Sequence, residues 1–109
     1  MAIANLKHVG TPGQKKTTRA LLKFCKEHNH ASGYIADLED FLSALESRDI
    51  ANLHKLIKKL RHAGMGSFID WFPVAVYEHE TDEYVDSIWN ALYGHWVEQI
   101  KSIEEIKNA

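Results

Sequence analysis

The sequence predicts a mostly α-helical single domain of four helices, and three observations carry that reading. Three separate stretches place apolar residues at three- and four-residue steps, the period of a helix with one buried face. A fourth such stripe runs from Val85 to Ile103 and is the longest. Strand-like composition is confined to the neighbourhood of Val74-Ala75-Val76-Tyr77, where a short β-ribbon is expected at about residues 67–77. With 109 residues, 45% of them apolar and 26% charged, the chain can bury one core and is too apolar to remain disordered.

Taken in order, residues 1–16 contain Gly10, Pro12, Gly13 and the pair Lys15-Lys16, and read as an irregular arm packed through Ile3, Leu6 and Val9. Residues 17–109 then form the helical domain. Thr17 or Thr18 caps a first helix that runs to about His28, with Leu21, Phe24, Cys25 and His28 on one stripe. Residues 29–33 are a loop by composition. The second helix carries Ile35, Leu38, Phe41, Leu42 and Leu45 inward, with Asp37, Glu39, Asp40 and Glu46 opposite. After a turn at Ser47-Arg48, Asp49 caps a third helix with Ile50, Leu53, Leu56, Ile57 and Leu60 inward. Lys55, Lys58, Lys59 and Arg61 lie around its other side, and Gly64 is the expected left-handed terminator, with Met65 making the apolar contact beyond it. Pro73 argues against a helix through residues 68–77. Thr81, followed by Asp82 and Glu83, caps the last helix, which runs to about Ile106 and spans about 37 Å. Val85, Ile88, Trp89, Leu92, Trp96, Ile100 and Ile103 form its stripe, flanked by Tyr93 and Val97. Eight of the eleven aromatic residues fall between Phe68 and Trp96, which centres the core on the loop and this helix.

Several function classes are weakened at this stage. The first residues lack the apolar run of a signal peptide, and no stretch of eighteen apolar residues suits a membrane span. A single cysteine makes no internal disulfide and fits a reducing cytoplasm. Cys25, His28 and His30 lie close together, but no matching pair completes a metal site, so Cys25 reads as core and the histidines as the frayed end of a helix. Glu78-His79-Glu80 reads as a solvated charge run. Without a phosphate loop, a nucleophile elbow or a walled acid pair, neither catalysis, nor a cofactor, nor a bound metal is expected.

Charge is divided unevenly along the chain. Residues 1–63 hold eleven Lys/Arg against six Asp/Glu, and residues 64–109 hold two against nine, giving +5 and −7 within a net charge of −2. Two binding readings follow. In one, residues 49–64 are the recognition helix of a winged-helix-like DNA-binding regulator, with Lys55, Lys58, Lys59 and Arg61 toward phosphates and residues 67–77 as the wing. That wing carries Asp70 and no Lys or Arg, which disfavours phosphate contact. In the other, preferred reading the acidic half meets a cationic protein through Asp70, Glu78, Glu80, Asp82, Glu83 and Asp86, with exposed Trp71 as an anchor. A non-catalytic immunity or inhibitor protein that neutralises a toxin fits this pattern, and the last helix offers a surface for a homodimer.

The stretch Gly64-Met65-Gly66-Ser67-Phe68-Ile69-Asp70 resembles the Gly-Gly-Met-Gly-Ser-Phe-Asn-Asp signature of a family of small bacterial proteins of unknown function. In that family, too, the signature follows a Leu-rich helix and precedes an acidic segment and a final helix with a Leu-Tyr pair, here Leu92-Tyr93. The resemblance spans about residues 50–95 and departs at Ala63, at Ile69 and in the extra aromatics Trp71 and Phe72. It implies a bacterial origin, not an activity. Read on its own residues, the loop has Gly64 and Gly66 free to adopt positive φ, Ser67 to cap local amides and Asp70 to accept backbone N–H bonds. A structural latch between the third and fourth helices is favoured over a contact surface.

Overall fold

A computed structural model describes residues 7–106, and among these the chain is all-α. Four helices follow in order: α1 (Pro12–Glu27), α2 (Ser32–Ser47), α3 (Ile50–Leu60) and α4 (Asp82–Glu104). α1 packs on both α4 and α2, α2 on α3, and α3 on α4, so the four close around one core. Leu21, Leu38, Phe41, Leu53, Leu60, Trp96, Ile100 and Ile103 are its buried centre, each taken from an apolar stripe. No helix among the described residues is long and apolar enough to cross a membrane.

The first helix starts earlier than its sequence reading. Pro12 occupies the first turn, where its missing N–H is no loss, and Thr11 and Gln14 form a reciprocal capping box. Residues 12–16 are therefore helical, not part of an irregular arm. Thr17 and Thr18 stand inside the helix and cap nothing; their hydroxyls donate back to carbonyls of the preceding turn. Of the arm residues expected to pack, Val9 is buried, whereas Ile3 and Leu6 lie outside the described residues. Gly10 sits at φ +75°, and a Cβ there would meet the Leu45 carbonyl oxygen at 2.5 Å. Gln14 ties this entry to the far end of the fold: its side-chain nitrogen reaches the His8 carbonyl at 2.8 Å, Ser102 Oγ at 3.1 Å and the Gln99 carbonyl at 3.2 Å.

Asp49 and Thr81 cap α3 and α4 as the sequence predicts, accepting the amides of Asn52 and Tyr84. α3 stops at Leu60, four residues before Gly64. Leu60 is the last inward position of its stripe, and the following six residues are exposed, so nothing holds another helical turn against the core. The apolar stripe of α4 is spent inside the same chain, against α1 and α3. A homodimer through that face would compete with the core.

The expected β-ribbon is absent among the described residues. Its reason is the fate of the backbone N–H groups. Ala75 donates to Asp82 Oδ1 at 2.8 Å, and Val76 and Tyr77 both donate to Glu80 Oε1 at 2.9 Å. Carboxylates occupy the donors that a neighbouring strand would need.

Candidate functional site

Between α3 and α4 the chain runs through a loop held at several points. Gly64 and Gly66 adopt φ +144° and +77°, as the two glycines allow. Asp70 Oδ2 accepts the Gly66 amide at 2.8 Å, and the Tyr34 hydroxyl of α2 donates to the Gly66 carbonyl at 2.9 Å. Two other expectations for this loop fail. Met65 is 100% exposed and makes no apolar contact, because the helix it was to close has already ended. Ser67 is buried, and its Oγ has no hydrogen-bond partner, so it caps no amide.

The aromatic run divides between inside and outside. Phe68 is fully buried and lies parallel to His30, with ring centroids 4.9 Å apart. Trp71 is half-buried, stacked on His30 at 4.1 Å and edge-on to Trp89 at 4.9 Å. It is a wall of the core and not the exposed anchor expected of it. Beyond it exposure alternates: Phe72, Val74 and Val76 point to solvent, while Pro73 is buried and Ala75 half-buried. Phe72 is 81% exposed, Val74 56% and Val76 45%, an outward apolar ridge on one side of an extended segment. Tyr77 at its end is also exposed.

The seven acidic and aromatic positions assigned to a partner separate into two groups. Asp70, Glu80 and Asp82 spend their carboxylates on loop amides, and Trp71 is packed. Glu80 is not part of a solvated run. Its side chain is only 8% exposed and pairs with His28 at 2.8 Å. The amides of Tyr77 and Val76, and then His28, hold its carboxyl well below the ordinary 4.5, at about 2. Asp86 is half-buried beside Asn90. Glu78 and Glu83 are exposed, and both follow the ridge in sequence.

His28 and His30 are likewise not a frayed helix end, since both are buried and hydrogen-bonded. Cys25 is fully buried, and burial pushes its thiol up to about 12, far from the thiolate a metal or a substrate would need. Among the described residues, no three His, Cys, Asp or Glu side chains gather to hold a metal ion.

On α3, the basic residues offered to DNA also divide. Lys59 pairs with Asp37 at 2.9 Å and lies over the Tyr34 ring, and Arg61 pairs with Glu104 of α4. Lys55 and Lys58 are exposed and, with Tyr34, Asp37 and Asp40 opposite, border an open groove of about 610 Å³ between α2 and α3. Cations and carboxylates alternate across it, so it lacks the single sign of a phosphate track.

No protein-family model matches this chain, and neither a curated protein nor a solved structure is significantly similar to it.

The ridge is what sequence reasoning missed. Its signal was present as Phe72-Pro73-Val74-Ala75-Val76, an alternating apolar run after a proline, but period two alone does not say which face is wet.

Proposed function

We propose that this chain is a non-catalytic protein-binding module of a bacterial cytoplasm, of the immunity or inhibitor type, which captures a cationic partner on the face around residues 72–83. One observation carries the reading: Phe72, Val74 and Val76 stand out to solvent from an extended segment whose Ala75, Val76 and Tyr77 amides are held by carboxylates. Large apolar side chains exposed together on a restrained backbone are costly in water and useful in an interface core, where aromatic anchors supply much of the binding energy. Exposed Glu78 and Glu83 suit a basic partner by steering its approach. The loop's likeness to the small bacterial family belongs to the same reading.

The test uses the intact chain as bait and a partner purified from the source cell. Phe72→Ser with Val76→Ser should weaken binding at least tenfold, mainly through faster dissociation, and Glu78→Lys with Glu83→Lys should slow association. A partner whose affinity ignores the first pair overturns the ridge as the contact face.

The winged-helix reading ranks second. Lys59 and Arg61 already face carboxylates, the helix is shorter than the 49–64 it requires, and no strand is present among the described residues to form a wing. Duplex DNA is therefore expected to show no measurable affinity at physiological salt. Sub-micromolar binding abolished by Lys55→Glu with Lys58→Glu would reverse the ranking.

A further inference from the structure

Two histidines at the end of α1 reach opposite ends of the segment that carries the ridge. His30 Nε2 lies 2.9 Å from the carbonyl oxygen of Phe68, ahead of it. His28 Nε2 lies 2.8 Å from Glu80 Oε2, behind it.

The two rings have different hydrogen-bond partners. The Ala31 amide donates to His30 Nδ1 at 2.7 Å, so that nitrogen carries a lone pair. The ring's one proton sits on Nε2 and is donated to the Phe68 carbonyl, which makes His30 a neutral imidazole of defined tautomer. His28 faces oxygens on both sides, the Phe24 carbonyl at 3.1 Å from Nδ1 and the Glu80 carboxylate at Nε2.

We propose that the ridge is presented by a two-point histidine clip, which acid releases at the His30 end first. The inference rests on reading the ridge as a contact face, because the clip sets where that face stands. A second proton on His30 goes to Nδ1, where it meets the hydrogen of the Ala31 amide. Donor then faces donor, and a charge is placed in a buried site beside rings. Burial already holds this imidazole below its ordinary 6.5, against the opposing pull of the Phe68 carbonyl. When the ring moves away, Phe68 and Trp71 lose the platform on which both stack.

The Glu80 end resists. Its carboxylate stays ionised to about 2, so the amides of Val76 and Tyr77 remain bound while His30 charges. Among the neighbours facing these rings, the titratable ones are Tyr34 of α2 toward His30, and Glu80 and Tyr77 toward His28. Phe24, Phe68, Trp71 and Trp89 supply the remaining contacts and carry no charge. The segment thus hinges outward from Phe68 while the turn at residues 77–80 stays closed.

The experiment is an NMR titration of the free protein from about pH 7.5 to pH 3, with amide protection corrected for intrinsic exchange. At the start, the ring nitrogens of His30 should report the neutral Nε2–H tautomer. Below 6.5 the Trp71 indole signal should shift, and protection of the Asp70 amide, bonded to Ser67, should fall about tenfold per pH unit down to the ring's folded value. Val76 and Tyr77 should keep their protection until the pH is below 4.5, and the Leu53 amide of α3 should be unaffected over the first step. His30→Gln should remove the first step and leave the second; if that variant fails to fold, the order of steps in the unmodified chain decides. Asp70 protection that stays flat between pH 6.5 and 4.5, Val76 opening first, or all amides opening together overturns the clip. Because no partner is present, these outcomes are separate from failure of the contact-face reading, which the Phe72 and Val76 substitutions test.

Discussion

Glu80 Oε2 meets His28 Nε2 at 2.8 Å, while its other oxygen receives the amides of Val76 and Tyr77. One carboxylate therefore joins the end of α1 to the turn before α4 and blocks strand pairing along the ridge. Glu80→Ala should leave those two amides and the imidazole without their acceptor. Amide exchange at Val76 and Tyr77 should rise by more than an order of magnitude, while α3 amides change little. Equal exchange in both proteins would show that the turn is held by something else.

The pH dependence of stability should fall in two acid-side limbs. Glu80 has a folded value of about 2 against an ordinary 4.5, so the unfolded chain binds the proton first, and stability is full above 4.5 and lost as the pH falls toward 2. His30 is also held below its ordinary 6.5, so its contribution is present above 6.5 and declines as the pH falls below it. Urea midpoints measured across this range should flatten below 4.5 in Glu80→Gln and just below 6.5 in His30→Gln.

The buried indole of Trp96 donates from Nε1 to Thr18 Oγ1 at 3.1 Å. Thr18→Val preserves shape but strands that N–H in the core. Unfolding by denaturant should show a loss of about 1–3 kcal/mol, and Thr18→Ser should recover most of it. A neutral Thr18→Val would mean that the indole finds another acceptor.

Two glycines should respond in opposite senses. Gly94 lies inside α4 with open space where a Cβ would stand, so Gly94→Ala should stabilise by about 0.5–1 kcal/mol. Gly10 combines φ +75° with the Leu45 carbonyl 2.5 Å from a Cβ, so Gly10→Ala should destabilise by more than 1 kcal/mol. A thermal midpoint that falls in Gly94→Ala would contradict the first reading, and one that rises in Gly10→Ala the second.

Cys25 is sealed in the core and its thiol is raised to about 12. Reaction with a thiol reagent near neutral pH should therefore proceed only as fast as the chain opens, and denaturant should accelerate it sharply. Rapid labelling of the native protein would place Cys25 elsewhere.

Local chemistry was enough to read the helices, because burying one face imposes a period that any stripe of Leu, Ile and Trp displays. The same holds for the caps at Asp49 and Thr81, whose side chains bond amides three residues away. Thr11 and Gln14 are equally legible as a capping box, whose three-residue spacing places the cap ahead of Thr17 and Thr18. The ridge and its clip depend on contacts that sequence neighbours do not make. Trp71 turns inward because His30, from the other side of α1's end, offers it a ring, and Phe72 is then left outside. Glu80 and Glu78 look alike in sequence, yet only Glu80 meets His28 across fifty-two positions. Periodicity identifies which residues seek burial; only the packed chain decides which partners satisfy them and which apolar side chains remain for another molecule.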